Sequence, residues 1–127
     1  MGELAATWFP LEVGGILVGH VNGADAAVVD FIGPGPQASH EHTRFTPDHE
    51  FHRQEVARHY QDSAGRRTYL GDWHTHPNGP SSLSELDQQT LRTIAQEREA
   101  RCSQPVMLLL AHGPEAWETT AFALGIS

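Results

Sequence analysis

Thr68-Tyr69-Leu70-Gly71-Asp72-Trp73-His74-Thr75-His76-Pro77, followed by Asn78-Gly79-Pro80-Ser81-Ser82-Leu83-Ser84-Glu85-Leu86-Asp87, is the stretch whose reading decides the fold. Residues 68 to 76 read as a β-strand. They end where two prolines and a glycine forbid its continuation, so a loop follows directly on the histidines. A helix then starts near Ser82 to Ser84 and runs to about Ala100. Leu83, Leu86, Thr90, Leu91, Ile94 and Ala95 recur on it at helical period as the inward stripe. The next apolar run, Pro105 to Ala111, has the length of a buried central strand.

Working outward, residues 13 to 20 and 26 to 32 are two β-rich runs joined through Asn22-Gly23, and they predict a hairpin. Gly33-Pro34-Gly35-Pro36 breaks regular structure, and the polar stretch to Thr46, carrying His40, Glu41 and His42, reads as an exposed loop. Pro47 and Asp48 open a helix to about Gln61, with Phe51, Val56 and Tyr60 inward and a turn at Ser63-Ala64-Gly65. Gly113-Pro114 turns the chain into a last strand, Trp117 to Leu124. No repeat or low-complexity linker interrupts this order. The expectation is a single α/β domain over residues 1 to 127, one mixed sheet with two helices packed on it.

Composition narrows the function. Sixteen acids stand against eight arginines and no lysine, a net charge of −8, so a nucleic-acid backbone would on average be repelled. No apolar run approaches the roughly 20 residues that cross a bilayer. Met1 to Pro10 lacks the basic and apolar regions of a secretion signal, so a cytoplasmic protein without membrane contact is expected. Cys102 is the single cysteine, and any metal site must be built from nitrogen and oxygen.

His74 and His76 supply the nitrogen. Two apart on a strand, their imidazoles project from one sheet face and can converge on one ion. Asp87 falls on the same helical face as Leu83, Thr90 and Leu91, and a carboxylate in a buried stripe needs a partner, since an unpaired buried charge costs several kcal/mol. A capping box, Ser84-x-x-Asp87 or Ser82-x-x-Glu85, is the purely structural reading of these residues, and it is compatible with the first. Two histidines and one carboxylate leave zinc an open position, the mark of a catalytic site. The base such a site needs is assigned to Glu12, which precedes the glycine-rich strand Gly14-Gly15-Ile16-Leu17-Val18-Gly19. His49, His52 and His59 read as surface residues, His40 and His42 as solvated, and His20 and His112 as strand ends. Trp73 alternates away from the histidines and is assigned to packing.

Together, Glu12 before Gly-Gly-Ile-Leu-Val-Gly, His74-Thr75-His76-Pro77, and Ser84-Glu85-Leu86-Asp87 at their spacing resemble the JAMM signature of the JAB/MPN metalloprotease family. The likeness spans roughly residues 11 to 124. Tyr69 to Pro77 looks most like the bacterial branch, which includes JAB peptidases encoded beside ubiquitin-transfer-like enzymes in CBASS antiphage operons and others that release sulfur-carrier proteins. The resemblance implies an MPN/JAB-like sheet with cytidine-deaminase-like layering, and zinc on His74, His76 and Asp87. It implies Glu12 as the proton-transferring base and Ser84 as the oxyanion donor. The reaction it implies is hydrolysis behind the C-terminal glycine of a ubiquitin-like protein or its conjugate, the alternatives being sulfur-carrier processing or a non-catalytic scaffold. Family members usually carry a strand and a helix before the glutamate, whereas 11 residues precede Glu12 here. The expectation is therefore a missing first helix, with either a sheet that tolerates a truncated edge or a partner or second copy of the chain, a homodimer, covering the exposed core.

Overall fold

The computed structural model describes residues 1–22, 25–96 and 105–123. Its elements are α1 (Gly2–Trp8), β1 (Gly14–Asn22), β2 (Asp25–Ile32), β3 (Ser39–His40), β4 (Phe45–Thr46), α2 (His49–Asp62), β5 (Thr68–Pro77), α3 (Glu85–Gln96), β6 (Val106–His112) and β7 (Trp117–Ala123). Five strands form one mixed sheet in the order β2-β1-β5-β6-β7, and β3 and β4 form a separate two-stranded hairpin. Among the described residues only β5 and β6 run parallel; a parallel pair needs a long crossover, and α3 lies within it. The hairpin expected from Asn22-Gly23 is present as the antiparallel pair β1–β2. The α/β expectation holds, with three helices rather than two.

Both sheet faces are covered, which is why β6 is apolar almost throughout: Met107, Leu109, Leu110 and Ala111 are all buried. On one face Val13, Leu17, Leu70, Trp73 and Leu110 pack with Ala5, and Met1, Leu4 and Trp8 close over them. On the other, Ile16, Val18 and Ile32 meet Phe51 and Val56 of α2 and Tyr69. The alternation of β1 thus sends Leu17 to α1 and its two neighbours to α2. A register shift opposite Leu17 and Val18 leaves Leu70 as an extra residue in β5. That bulge puts Leu70 and Trp73 on one face although they are three apart.

Several expectations are corrected. The first helix is not missing: α1 is short, and Ala5 at 1% exposure is part of the core. His52 and His59 are buried, not surface residues, because both rings find polar partners: His52 Nε2–H donates to the Gly33 carbonyl at 2.8 Å, and the Arg67 guanidinium donates to His59 Nδ1 at 3.3 Å. Tyr60 and Leu86, expected inward, are exposed; their helices lie at the cleft rim, where a period of 3.6 marks a face without showing how far the neighbouring layer extends. The loop holding His40 contains the β3–β4 hairpin, and His40 is stacked on Trp8. His20 lies within β1, two residues short of its end, and its Nδ1 faces the Arg66 carbonyl at 3.0 Å. The expected end of the second helix near Ala100, Cys102, and the last residue of the final strand, Leu124, lie outside the described residues.

Candidate metal centre

Pleating of β5 sets the site. Trp73 and Thr75 point to the α1 side and are fully buried. Asp72, His74 and His76 point to the α2 side and line a cleft of about 1690 Å³. Trp73 serves packing, as expected, and its indole N–H donates to the Ile32 carbonyl at 3.1 Å.

α3 delivers the carboxylate. Ser84 precedes its first residue, and the cap is reciprocal: Asp87 N–H donates to Ser84 Oγ at 3.1 Å, and Ser84 N–H donates to Asp87 Oδ2 at 3.0 Å. This is a capping box with Asp in the acidic position. It leaves the Ser84 hydroxyl hydrogen uncommitted and fixes the Asp87 rotamer. Asp87 Oδ1 then lies 3.2 Å from His74 Nε2, and Oδ2 lies 3.2 Å from His76 Nε2. The two Nε2 atoms are 3.0 Å apart. Sequence reading left the capping and ligand roles of Asp87 both open; the geometry forms the cap and, with it, holds the carboxylate beside both imidazoles.

The fit to a cation follows from the protons. His76 Nδ1 lies 3.1 Å from the Pro80 carbonyl, an acceptor only, so this nitrogen carries the hydrogen. His74 Nδ1 faces the Met107 thioether sulfur at 3.2 Å, also an acceptor. With both Nδ1 atoms donating, both Nε2 atoms turn lone pairs toward a shared carboxylate, with side chains only 10–15% exposed. Three electron-rich ligand atoms within 4.8 Å of one another repel unless a proton or metal ion sits among them. Donors of this kind, oriented through their far nitrogens, fit a metal ion. Electrostatics agree. Burial works to raise the Asp87 carboxyl, yet the hydrogen bonds it accepts where protons, in place of a metal ion, occupy the Nε2 positions of His74 and His76 outweigh it and hold it well below the usual carboxylate range. Burial works to lower His76, but Asp87, the Pro80 carbonyl and the charge of Glu12 raise it.

Glu12 stands beside this group. It lines the same cleft, and burial pushes its carboxyl up, with the imidazoles of His74 and His76 pulling it down and Asp87 pushing it up. Its position follows from the sheet edge. Val13 N–H donates to Thr75 Oγ1 at 3.0 Å and Thr75 N–H donates to the Val13 carbonyl at 2.9 Å, so Glu12 precedes the residue stapled between the two histidines. Gly14 and Gly15 let the strands close: a Cβ on Gly15 would lie 1.8 Å from the Ile32 carbonyl oxygen and 2.6 Å from the Trp73 indole nitrogen. The structure therefore brings Glu12, His74, His76, Ser84 and Asp87 to one cleft.

Asp72 is what sequence reading missed. It shares the face of His74 and His76, and the Tyr69 hydroxyl donates to it at 2.5 Å. Burial pushes its carboxyl up, against that hydrogen bond and the nearby imidazoles of His52, His74 and His49. The signal was the period-two spacing of 72, 74 and 76, applied only to the histidines. Met107 and Pro80 left no local signal, because their roles come from the neighbouring strand and the loop.

Among known proteins, the family model described as prokaryotic homologs of the JAB domain matches residues 1–123. A probable metalloprotease, y4qB, of Sinorhizobium fredii is 44% identical over 115 residues, covering 89% of this chain and 70% of that protein. A CD-NTase/cGAS isopeptidase of Vibrio cholerae is 28% identical over 106 residues, covering 84% of this chain and 65% of its own length. One from Escherichia coli is 27% identical over 108 residues with the same two coverages. The chain thus spans about two thirds of the length of these relatives. In fold it is similar to the solution structure of protein DSY2949 from Desulfitobacterium hafniense, with a TM-score of 0.71 at 20% identity over 98% of this chain and 77% of the other. Matched from its first residue to its last described strand, this chain belongs to the prokaryotic homologues of the JAB domain and is an enzyme of that family's metalloprotease kind.

Proposed function

We propose that the chain is a zinc-dependent isopeptidase or peptidase that cleaves after the C-terminal glycine of a ubiquitin-like protein or its conjugate. The observation that carries this reading is the convergence of His74 Nε2, His76 Nε2 and an Asp87 carboxylate oxygen, with the Glu12 carboxyl in the same cleft. His74, His76 and Asp87 would hold the zinc, which when bound supplies a Lewis acid that activates water and polarises a carbonyl.

The chain's own groups do the rest. Hydrolysis requires a proton removed from water as its oxygen bonds to the carbonyl carbon, and a proton delivered to nitrogen as the C–N bond breaks. Glu12 is the group for both transfers: a half-buried carboxyl with a raised pKa accepts the first proton and passes it to the leaving amine. The Ser84 hydroxyl, which accepts from Asp87 N–H and keeps its own hydrogen, donates to the carbonyl oxygen as charge builds there. The cleft supports a macromolecular substrate, since about 1690 Å³ exceeds the roughly 300–1,000 Å³ of small-molecule sites. Relatives named as CD-NTase/cGAS isopeptidases support a protein conjugate as the substrate.

The test is a ubiquitin-like protein ending in Gly-Gly, fused through a peptide bond to a reporter and incubated with the zinc-loaded chain. Cleavage behind the glycine is expected. It should be abolished by chelation and fall about 10²–10⁴-fold in Glu12→Gln, the usual worth of a general base. Turnover that survives both treatments would remove the reading.

A further inference from the structure

We propose that His40 is a positioning residue for Glu12, and that the β3–β4 hairpin is the element that sets the base; the inference rests on Glu12 acting in proton transfer. β1 begins at Gly14, so the main sheet does not hold Glu12. Its two backbone polar groups are taken instead by adjacent residues of the hairpin. Glu12 N–H donates to the Glu41 carbonyl at 2.7 Å. The Glu12 carbonyl lies 2.9 Å from His40 Nδ1, and since a carbonyl only accepts, Nδ1 carries the hydrogen.

His40 is itself held. Its ring stacks on Trp8 with centroids 3.5 Å apart and planes within 4°, and Phe45 lies against it at 5.4 Å. Glu41 N–H donates to the Arg44 carbonyl at 2.9 Å, closing the hairpin. Phe45 anchors the hairpin to the sheet, its Cδ2 sitting 2.9 Å from where a Cβ on Gly14 would lie. A chain of contacts therefore runs from α1 through Trp8 and His40 to the backbone of Glu12. Displacing a reacting group by about 1 Å can cost about 10²-fold in rate, and this clamp holds the Glu12 backbone between Leu11, whose N–H donates to the Trp8 carbonyl, and Val13, paired with Thr75. Thr43, Arg44, Phe45 and Thr46 of the same hairpin line the cleft, so substrate seated there bears on the element that aims the base.

The experiment uses the zinc-loaded full chain and the Gly-Gly fusion described above. His40→Ala is expected to lower kcat about 10–100-fold, with KM within about twofold and zinc content unchanged. His40→Asn, which keeps a donor near the Nδ1 position, should recover most of the loss. Because His40 acts through Glu12, adding His40→Ala to Glu12→Gln should cost no further activity, a non-additivity that general destabilisation would not produce. Wild-type kcat in soluble, zinc-loaded His40→Ala would overturn the proposal. So would equal losses in the two backgrounds or, should the alanine variant not fold, a folded His40→Asn with the activity of Glu12→Gln. Full activity of Glu12→Gln alone would instead remove the base assignment on which the proposal rests.

Discussion

Protons and a metal ion compete for the same lone pairs at His76 and Asp87. In the metal-free protein His76 binds its proton more tightly than its ordinary value of 6.5, so its contribution to stability is complete below that pH and is lost as pH rises through the raised folded value. Asp87 has the opposite sign: its contribution is present above its ordinary 3.8 and is lost as pH falls through the depressed folded value. The metal-free protein should therefore gain most from this cluster between the two. Zinc requires both groups deprotonated, so the rise in Tm on adding zinc should grow as pH climbs past His76. Thermal melts with and without zinc from pH 5 to 8 check this, and a gain independent of pH would place the metal elsewhere. At this scale the convergence of His74, His76 and Asp87 was legible from period two on β5 and from an acid in a helical stripe. The Nδ1 partners were not, because Met107 and Pro80 meet the histidines only once strands are paired and the loop has turned.

Elements carry two further expectations. Ser84 both caps α3 and orients Asp87. Ser84→Ala should cost about 1 kcal/mol as a lost N-cap and, as a lost oxyanion donor, about 10²–10³-fold in kcat. Ser84→Asp, which retains a capping side chain but supplies no donor at neutral pH, should restore stability without activity; restoration of both would show that capping alone accounts for the serine. Gly15→Ala forces a Cβ to within 1.8 Å of a backbone oxygen in the neighbouring strand. It should break the β1–β2 register, seen as loss of cooperative unfolding. The β1–β2 hairpin and α3 could be read because turn residues and apolar period act locally. The β3–β4 hairpin escaped reading because two-residue strands carry no period, and α1 because the seven residues of Gly2–Trp8 are too few to hold a helix without the sheet beneath them.

For the whole molecule, one sheet buried on both faces ties site to core. Leu17 is fully buried on the α1 side, within β1, the strand that follows Glu12. Leu17→Ala should cost about 2–5 kcal/mol, lowering the urea midpoint with little change in m. At temperatures where the variant stays folded, zinc binding should persist, because the ligands come from β5 and α3. What the sequence determined alone is the set of chemical groups and the order of elements: His74 and His76 on a strand, Asp87 one capping box into a helix, Glu12 before a glycine pair, an apolar strand to follow. These depend on contacts a few residues apart, which a linear pattern records. Tertiary structure alone decided that Glu12 stands beside the histidines, that His52 and His59 are interior, and that the His40 ring meets the Glu12 carbonyl. Each of these depends on which strands become neighbours, and the pairing of β1 with β5 is settled by burial of both sheet faces together, a property of the assembled chain that no single segment contains.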